Sequence, residues 1–269
     1  MDIIGDDAAG AELVDCVLRY GKSFFDSRLD DLESFGVPSG ISAAWFRNRD
    51  EGLDEEIDWS ACVFNKSAAL DAVLNELSKG QDRLSPDGVT LLGRYIAGIR
   101  ERLHRNHPDG GTIIDFGCGS CPDATAILAY GGNFTVQLVD VRPLSLLYSS
   151  YQLSRRGIPN KPTLVSRGSE LDLLSDDVVM FVESTAFEHV KHIRHLFVPL
   201  LEMLPENGLF LSNYTRLDWT NPKFDGYPES HEYATTAVED AKKHANRLQL
   251  SPEQGDGEGW DLWEKFAAS

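Results

Sequence analysis

Apolar residues in the second half of the chain fall alternately into short continuous runs and into helical spacing. A short apolar run bounded by glycine, proline or acidic residues predicts a buried strand, and apolar residues repeating every three or four positions predict a helix. Strands that alternate with helices are typical of a parallel sheet covered on both faces. The predicted strands are 112–116, 135–141, 162–167, 178–184, 208–214, 248–251 and 259–266, and the predicted helices are 123–130, 144–156, 188–204 and 233–247. Pro199 predicts a kink or a break in the third of these helices.

The first 108 residues show helical spacing without intervening strands. Apolar side chains recur at i, i+3, i+4 and i+7 in the stretches 13–20, 70–77 and 92–103. We therefore predict a helical cap or lid region over residues 1–108 and an α/β core over residues 109–269. The segment 35–58 is rich in acidic residues and is either solvated surface or a lid over the active site.

Charge and hydropathy narrow the classes of partner. The chain has 269 residues and a formal net charge of −18, whereas binding to a nucleic acid or an anionic membrane needs a basic surface. Its apolar runs fall short of the ~20 residues that cross a bilayer, and residues 1–7 lack the pattern of a signal peptide. We expect a cytoplasmic protein with a small-molecule substrate and no nucleic-acid or membrane partner. The oligomeric state stays open.

Cysteine usage argues against a disulfide framework. Four cysteines are too few for a disulfide scaffold in a chain of this size. Cys118 and Cys121 form a C-x-x-C pattern, so a redox site is one interpretation. The other, which we favour, is that small residues suit a tight turn and that a free cysteine behaves as a small hydrophobic residue there.

The stretch after the first predicted core strand carries the clearest chemistry. Asp115 lies near the end of that strand, and Gly117 and Gly119 follow in a Gly-x-Gly pattern, here called the glycine turn (residues 117–119). Strand, glycine turn and helix bring backbone against a ligand in doubly wound sheets. Asp140 lies near the end of the next strand, a position that suits hydrogen bonds to a ribose diol. The carboxylate of Asp115 suits a cationic ligand group and would repel a pyrophosphate.

These features resemble the motifs of the class I S-adenosylmethionine-dependent methyltransferases, especially the small-molecule type. Residues 187–190, Phe-Glu-His-Val, are similar to a Leu-Glu-His-Val motif of that superfamily, and residues 203–209 are similar to its Leu-Lys-Pro-Gly-Gly turn. The resemblance implies an α/β fold with a doubly wound, Rossmann-like sheet of seven strands, of which the last is antiparallel. This core would follow the N-terminal helical cap predicted above. It also implies S-adenosylmethionine as cofactor and base-assisted, in-line methyl transfer to an O, N or C atom of a small or medium-sized metabolite.

The resemblance assigns cofactor-binding roles to residues at the ends of the first two core strands. Asp115, Gly117 and Gly119 would line the methionine half of the cofactor. Asp140 would accept both ribose hydroxyls, and Val141 would pack on the adenine.

Further roles fall on residues after the third, fourth and fifth strands. Glu170 and Leu171 would lie at the adenine edge, and Glu183 would face the methionine moiety and the substrate entrance. His189 and His231 are the candidate bases, because imidazole titrates near neutral pH. Convergence of Glu183 with these histidines and Glu188 on a divalent ion is a weaker alternative, and we predict no metal.

Two other functions stay open at this stage. An NAD(P)-dependent oxidoreductase would also use a Gly-x-Gly turn, but it needs a pyrophosphate at that turn and a catalytic pair that the sequence does not show. The second alternative is a catalytically inactive protein that keeps the fold and serves for cofactor binding or as a scaffold.

Overall fold

A seven-stranded sheet forms the centre of the described part of the chain. The computed structural model describes residues 96, 98–119, 123–140, 143–165, 171–183, 186–190, 193–216, 227–248 and 260–267. The strands are β1 (Gly111–Phe116), β2 (Phe134–Asp140), β3 (Asn160–Leu164), β4 (Val178–Glu183), β5 (Leu209–Ser212), β6 (Ala245–Leu248) and β7 (Asp261–Lys265). The helices between them are α1 (Asp123–Ala129), α2 (Pro143–Arg155), α3 (Arg194–Met203) and α4 (Pro228–Ala241).

The strand order is β3-β2-β1-β4-β5-β7-β6. Neighbouring strands pair in parallel from β3 through β5, and β7 pairs antiparallel with both β5 and β6. The order reverses between β1 and β4, and ligands of open α/β sheets bind beyond the carboxyl ends of the strands at such a switch point. The predicted fold class, a doubly wound Rossmann-like sheet of seven strands with the last antiparallel, is confirmed.

Apolar side chains cover both faces of the sheet. Successive residues of a strand point to opposite faces, so Ile113 joins one buried cluster with Val136 and Met180, while Ile114 joins another with Phe181. The continuous apolar runs of β1, β2 and β4 follow from this burial on two sides.

The helical segment 98–106 packs on the first of these faces. Ile99 and Leu103 are buried in the same cluster as Ile113, and Arg102 makes two hydrogen bonds to Glu264 of β7, of 2.8 and 2.6 Å. This segment falls within the region 1–108 that the sequence analysis predicted as a helical cap or lid, and these contacts pack it against the sheet. The other helices and the acidic segment predicted for the N-terminal region lie outside the described residues. In the part of the chain that the structure describes, no helix has both the length and the apolar composition of a membrane span.

Two predicted helices have different bounds in the structure. The helix expected over 188–204 begins only at Arg194, because residues 187–189 form a separate 3₁₀ turn. It continues through Pro199, which is its sixth residue, and so is not divided there. The helix expected over 233–247 starts at Pro228, which stands at a first-turn position that suits proline, and ends at Ala241.

The sixth strand begins earlier than predicted, because α4 ends early. Residues 245–248 pair with β7, whereas the sequence analysis placed that strand at 248–251 and kept 245–247 helical. The pairing supplies the reason: the guanidinium of Arg247 bonds to the carboxylate of Asp261 and lies 5.8 Å from the ring centroid of Trp263. The third strand likewise starts earlier than predicted, at Asn160, and ends at Leu164.

Candidate functional site

The glycine turn leaves β1 at the switch point and folds back against β2. The N–H groups of Gly117 and Cys118 donate to the carbonyl of Val139, at 2.8 and 3.2 Å. Gly117 and Gly119 have φ of +69° and +54°, in the left-handed region where side chains with a Cβ are strained. The two glycines therefore allow a tight reversal directly beyond the carboxyl end of β1.

Side chains from β2 and α2 hold both backbone groups of Gly119. Its N–H donates to Oδ2 of Asp140 at 2.8 Å, and its carbonyl accepts from the Ser149 hydroxyl at 2.8 Å. Ser149 is completely buried and Asp140 nearly so. The position of the turn is thus fixed by side-chain contacts from two neighbouring elements as well as by backbone.

Asp115 is anchored to the helix that follows the turn. Oδ2 of Asp115 accepts from the Thr125 hydroxyl at 2.6 Å, and both residues are buried. Asp115 and Asp140 thus stand on adjacent strands, one on each side of the glycine turn. A carboxylate accepts several hydrogen bonds at once, so these contacts are chemically compatible with ligand contacts as well.

The surroundings of Cys118 disfavour the thiolate form of its side chain. Burial is the main cause that raises the pKa of the Cys118 thiol well above its ordinary value, and the carboxylates of Asp140 and Asp115 raise it further. Cys118 is buried and its sulfur donates to the carbonyl of Gly119. Since only a thiolate is a good nucleophile, the neutral thiol agrees with an inert filler of the turn. Cys121 lies outside the described residues.

The turn after β4, residues 186–190, lies against the glycine turn and is here called the post-β4 turn. A Cβ added to Gly117 would stand 2.3 Å from the Cβ of Ala186. Neighbouring carbon atoms normally approach no closer than about 3.5 Å, so the absence of a side chain at Gly117 brings the two turns together.

Glu183 ends β4 and turns its carboxylate toward the protein interior. Oε1 accepts from the N–H groups of Ala186 and Phe187, at 2.8 and 3.2 Å, and Oε2 accepts from the Ser212 hydroxyl at 2.5 Å. The side chain is fully buried. Burial raises the pKa of Glu183, and these hydrogen bonds oppose the rise. The sequence analysis expected Glu183 to face the cofactor and the substrate entrance, and a ligand contact of Glu183 stays a prediction. In the described residues its carboxylate bonds to Ala186, Phe187 and Ser212.

The two candidate bases lie on connected segments. His189 is in the post-β4 turn, His231 is in the first turn of α4, and both side chains are exposed. The Ser230 hydroxyl donates to the carbonyl of Val190 at 2.8 Å, so residues adjacent to each histidine are joined by a hydrogen bond. The structure therefore brings the two histidine-bearing segments together.

The other predicted site residues fall in different places. Leu171 is partly buried in a short 3₁₀ turn that follows β3. Val141 and Glu170 lie outside the described residues, and the side chain of Glu188 is not described. Within the described residues, no three histidine, cysteine, aspartate or glutamate side chains converge in an arrangement that could hold a metal ion.

Hydroxyl partners of the site were not recognised from sequence. Ser149 lies between Leu146 and Leu153 on the buried face of α2, and a buried hydroxyl in an apolar stripe needs a hydrogen-bond partner. That pattern is a usable signal for Ser149. For Thr125 and Ser212 the sequence offers less, because small polar residues are common near strand ends and helix starts.

Comparison with known proteins gives matches to solved structures only. No family model matches the chain, and no curated protein matches it. Three of the structural neighbours illustrate the similarity. A protein from Methanococcus maripaludis, assigned provisionally to the S-adenosyl-L-methionine-dependent methyltransferases, shares 14% identity, with 81% of this chain and 98% of that chain covered and a TM-score of 0.46.

The second neighbour, an rRNA methylase from Streptococcus thermophilus, shares 18% identity over 64% of this chain and 96% of its own, with a TM-score of 0.45. The third, a geranyl diphosphate methyltransferase in complex with S-adenosylmethionine, shares 12% identity over 65% of this chain and 90% of its own, with a TM-score of 0.42. The second and third neighbours are named for different substrates, rRNA and geranyl diphosphate. At such identities and TM-scores the likeness identifies neither the cofactor nor the substrate of this chain.

Proposed function

We propose that the chain is an S-adenosylmethionine-dependent methyltransferase that acts on an O, N or C atom of a small or medium-sized metabolite. The observation that carries the proposal is the glycine turn at the sheet's switch point, flanked by the buried carboxylates of Asp115 and Asp140. A ligand seated there meets close backbone and negative charge together. A cation with a ribose diol suits both features.

The charge of the turn separates this proposal from a nicotinamide-dependent oxidoreductase. A pyrophosphate at the glycine turn would stand near two carboxylates, and like charges at short range repel strongly in a poorly solvated site. Burial is the main cause of the raised pKa of Cys118, and Asp140 and Asp115 add to it. The two carboxylates favour the ammonium and sulfonium groups of S-adenosylmethionine.

The resemblance to the methyltransferase motifs assigns residues of this chain to parts of the cofactor. Asp115 and the two glycines are the proposed contacts of the methionine half, and Asp140 is the proposed acceptor for the ribose hydroxyls. Val141, Glu170 and Leu171 are the proposed neighbours of the adenine. When bound, S-adenosylmethionine supplies an activated methyl group that is transferred to a lone pair of the acceptor while sulfur keeps the bonding electrons.

The acceptor side is proposed to lie along the post-β4 turn and the start of α4. His189 and His231 are exposed on these two connected segments, and neutral imidazole at either position is the proposed acceptor of the nucleophile's proton. Glu183 has protein partners for both oxygens, so it is a poorer candidate for that task. The net charge of −18 supports a small-molecule acceptor over a nucleic acid.

Calorimetric titration of the full chain tests the proposal directly. S-Adenosylmethionine, S-adenosylhomocysteine and NADH are titrated separately into the wild type and into Asp140→Ala. We expect micromolar binding of the two sulfur ligands to the wild type and loss of at least about tenfold in affinity in the variant, because hydrogen bonds to charged groups contribute about 1.5–3 kcal/mol. Transfer of a labelled methyl group to pooled metabolites then identifies the acceptor.

Asp109→Ala is the matched control for Asp140→Ala. Asp109 is an exposed aspartate just before β1. It lies at the amino end of that strand, whereas the glycine turn lies at the carboxyl end, so its replacement removes one charge without touching the glycine turn. Equal loss of ligand affinity in the two variants would show that the effect comes from the change in net charge alone. Binding of NADH in place of the sulfur ligands would replace the proposal with an oxidoreductase, and binding without any transfer would favour an inactive cofactor-binding protein.

A further inference from the structure

A closed set of hydrogen bonds surrounds the carboxylate of Glu183. One oxygen holds the N–H groups of Ala186 and Phe187, and the other holds the hydroxyl of Ser212 at the end of β5. The Ser212 oxygen in turn accepts from the Tyr214 N–H at 3.1 Å. Glu183 therefore ties the end of its own strand to the post-β4 turn and to the segment that follows β5.

The set continues into the first turn of α4. The Tyr214 hydroxyl donates to the carbonyl of Ser230, and the Ser230 hydroxyl donates to the carbonyl of Val190. Tyr214 and Ser230 are completely buried. The chain of contacts thus leads from Glu183 through β5 and α4 back to the post-β4 turn.

Aromatic packing fixes the same turn from the other side. The buried ring of Phe187 lies 5.4 Å from Phe116, 6.0 Å from Phe210 and 5.9 Å from Tyr214, measured between ring centroids. Edge-on contacts of this kind favour a defined orientation. Phe187 is thus held in the post-β4 turn both by these ring contacts and by the hydrogen bond from its N–H to Glu183.

The turn that Glu183 holds is the one that touches the glycine turn. The Ala186 N–H bonds to Glu183, and the Ala186 methyl group occupies the space that a side chain at Gly117 would need. The spacing between the proposed cofactor turn and the segment bearing His189 consequently depends on where Ala186 is held. In-line transfer between two bound groups is sensitive to displacements of about 1 Å.

We propose that Glu183 is a positioning residue: it does not contact cofactor or substrate, and it sets the placement of the post-β4 turn against the glycine turn. The assignment rests on the proposed methyltransferase function for its catalytic meaning. The placement of the turn itself rests only on the contacts above.

Two variants of equal side-chain length separate hydrogen bonding from packing at this position. Glu183→Gln keeps an amide oxygen for the N–H groups of Ala186 and Phe187, whereas Glu183→Met fills similar volume without an acceptor. Amide hydrogen exchange of the full chain is followed by NMR, with the amides of Ile113 and Ile114 in β1 as internal reference. We expect exchange at Ala186 and Phe187 to rise at least about tenfold in Glu183→Met, since a half-buried and a buried donor lose their partner, and to stay near the wild-type rate in Glu183→Gln.

A second measurement uses S-adenosylmethionine labelled with ¹³C in its methyl group. Both variants should bind it with an affinity close to that of the wild type, because Glu183 makes no cofactor contact in this proposal. The bound methyl resonance should move in Glu183→Met and return toward its wild-type position in Glu183→Gln. A residue with a merely structural role would not produce that difference at unchanged affinity.

Several results would overturn the assignment. Equal exchange at Ala186 and Phe187 in the two variants would show that packing alone holds the turn, and a matching rise at Ile113 and Ile114 would show only general destabilisation. Loss of cofactor affinity as large as that of Asp140→Ala would make Glu183 a direct contact. Failure of the wild type to bind the labelled compound would refute the proposed function, while the exchange rates would still judge the placement of the turn.

Ser212→Ala covers the case in which Glu183→Met does not fold. This variant removes the donor to Oε2 and the acceptor of the Tyr214 N–H. Exchange at Tyr214 and Ala186 should therefore rise, and unchanged exchange at both amides would contradict the set of hydrogen bonds.

Discussion

Replacing Gly117 by alanine measures how tightly the two turns are packed. The new Cβ would lie 2.3 Å from the Cβ of Ala186, and Gly117 has φ of +69°. A left-handed backbone costs a residue with a side chain about 1–2 kcal/mol, and overpacking of a tight contact costs about 1–3 kcal/mol. Relief by moving Ala186 would also strain its hydrogen bond to Glu183. We expect the free energy of unfolding to fall by about 2–5 kcal/mol.

Adding Ala186→Gly separates the two contributions. The double variant removes the clash and retains the left-handed backbone, so it should recover the overpacking share of about 1–3 kcal/mol and keep the rest of the loss. Urea unfolding of the wild type, both single variants and the double variant completes the cycle, provided that the slope m stays constant. Strict additivity of the two substitutions would refute the close contact between Gly117 and Ala186.

Two further substitutions test the supports of the sheet and the turn. Ser149→Ala leaves the buried carbonyl of Gly119 without the serine hydroxyl, so it should lower the free energy of unfolding by about 1–3 kcal/mol and weaken S-adenosylmethionine binding in calorimetry; Ser150→Ala, at a half-buried neighbour bonded to Asn160, is the control and should leave binding intact. Burial alone would raise the pKa of Glu264, but hydrogen bonds from Arg102 and Asn106 outweigh it and hold that pKa below its ordinary value. A lowered folded-state pKa gives stability that is fully present above the ordinary pKa and is lost as the pH falls through the folded-state pKa. Glu264→Gln should therefore destabilise the protein at pH 7 and progressively less in acid, as urea unfolding at a series of pH values would show; an equal loss at every pH would contradict it.

The strands best predicted from sequence are those whose position burial alone determines. Observed β1 and β4 lie within one residue of the predicted bounds, because an apolar run buried on two faces ends where charged residues and glycines begin. The short strand β6 has the sequence Ala-Asn-Arg-Leu, which carries no such signal. Its position follows from pairing with β7 and from the contacts of Arg247, which are tertiary and leave no local pattern.

The start of α3 was predicted six residues too early. Residues 187–189 form a 3₁₀ turn in which the N–H groups of His189 and Val190 donate to the carbonyls of Ala186 and Phe187. These bonds span three residues, whereas those of an α-helix span four. Apolar periodicity does not separate the two patterns over so short a stretch, so it could not locate the first residue of α3.

The direction of a buried carboxylate distinguishes Asp140 from Glu183 at the carboxyl ends of the strands. Asp140 and Glu183 both end buried strands, and from sequence both qualify as ligand contacts. The shorter Asp140 bonds to the N–H of Gly119, in the turn where a ligand is proposed to approach, whereas the longer Glu183 reaches back to two N–H groups and a hydroxyl of its own edge. A buried carboxylate must satisfy its acceptors somewhere, and the donors nearest to it decide whether it supports a turn or faces a ligand. An acidic residue at the carboxyl end of a strand therefore indicates that the residue lies near the site. Only its hydrogen-bond donors show whether the carboxylate faces the turn that is proposed to bind a ligand or the protein interior.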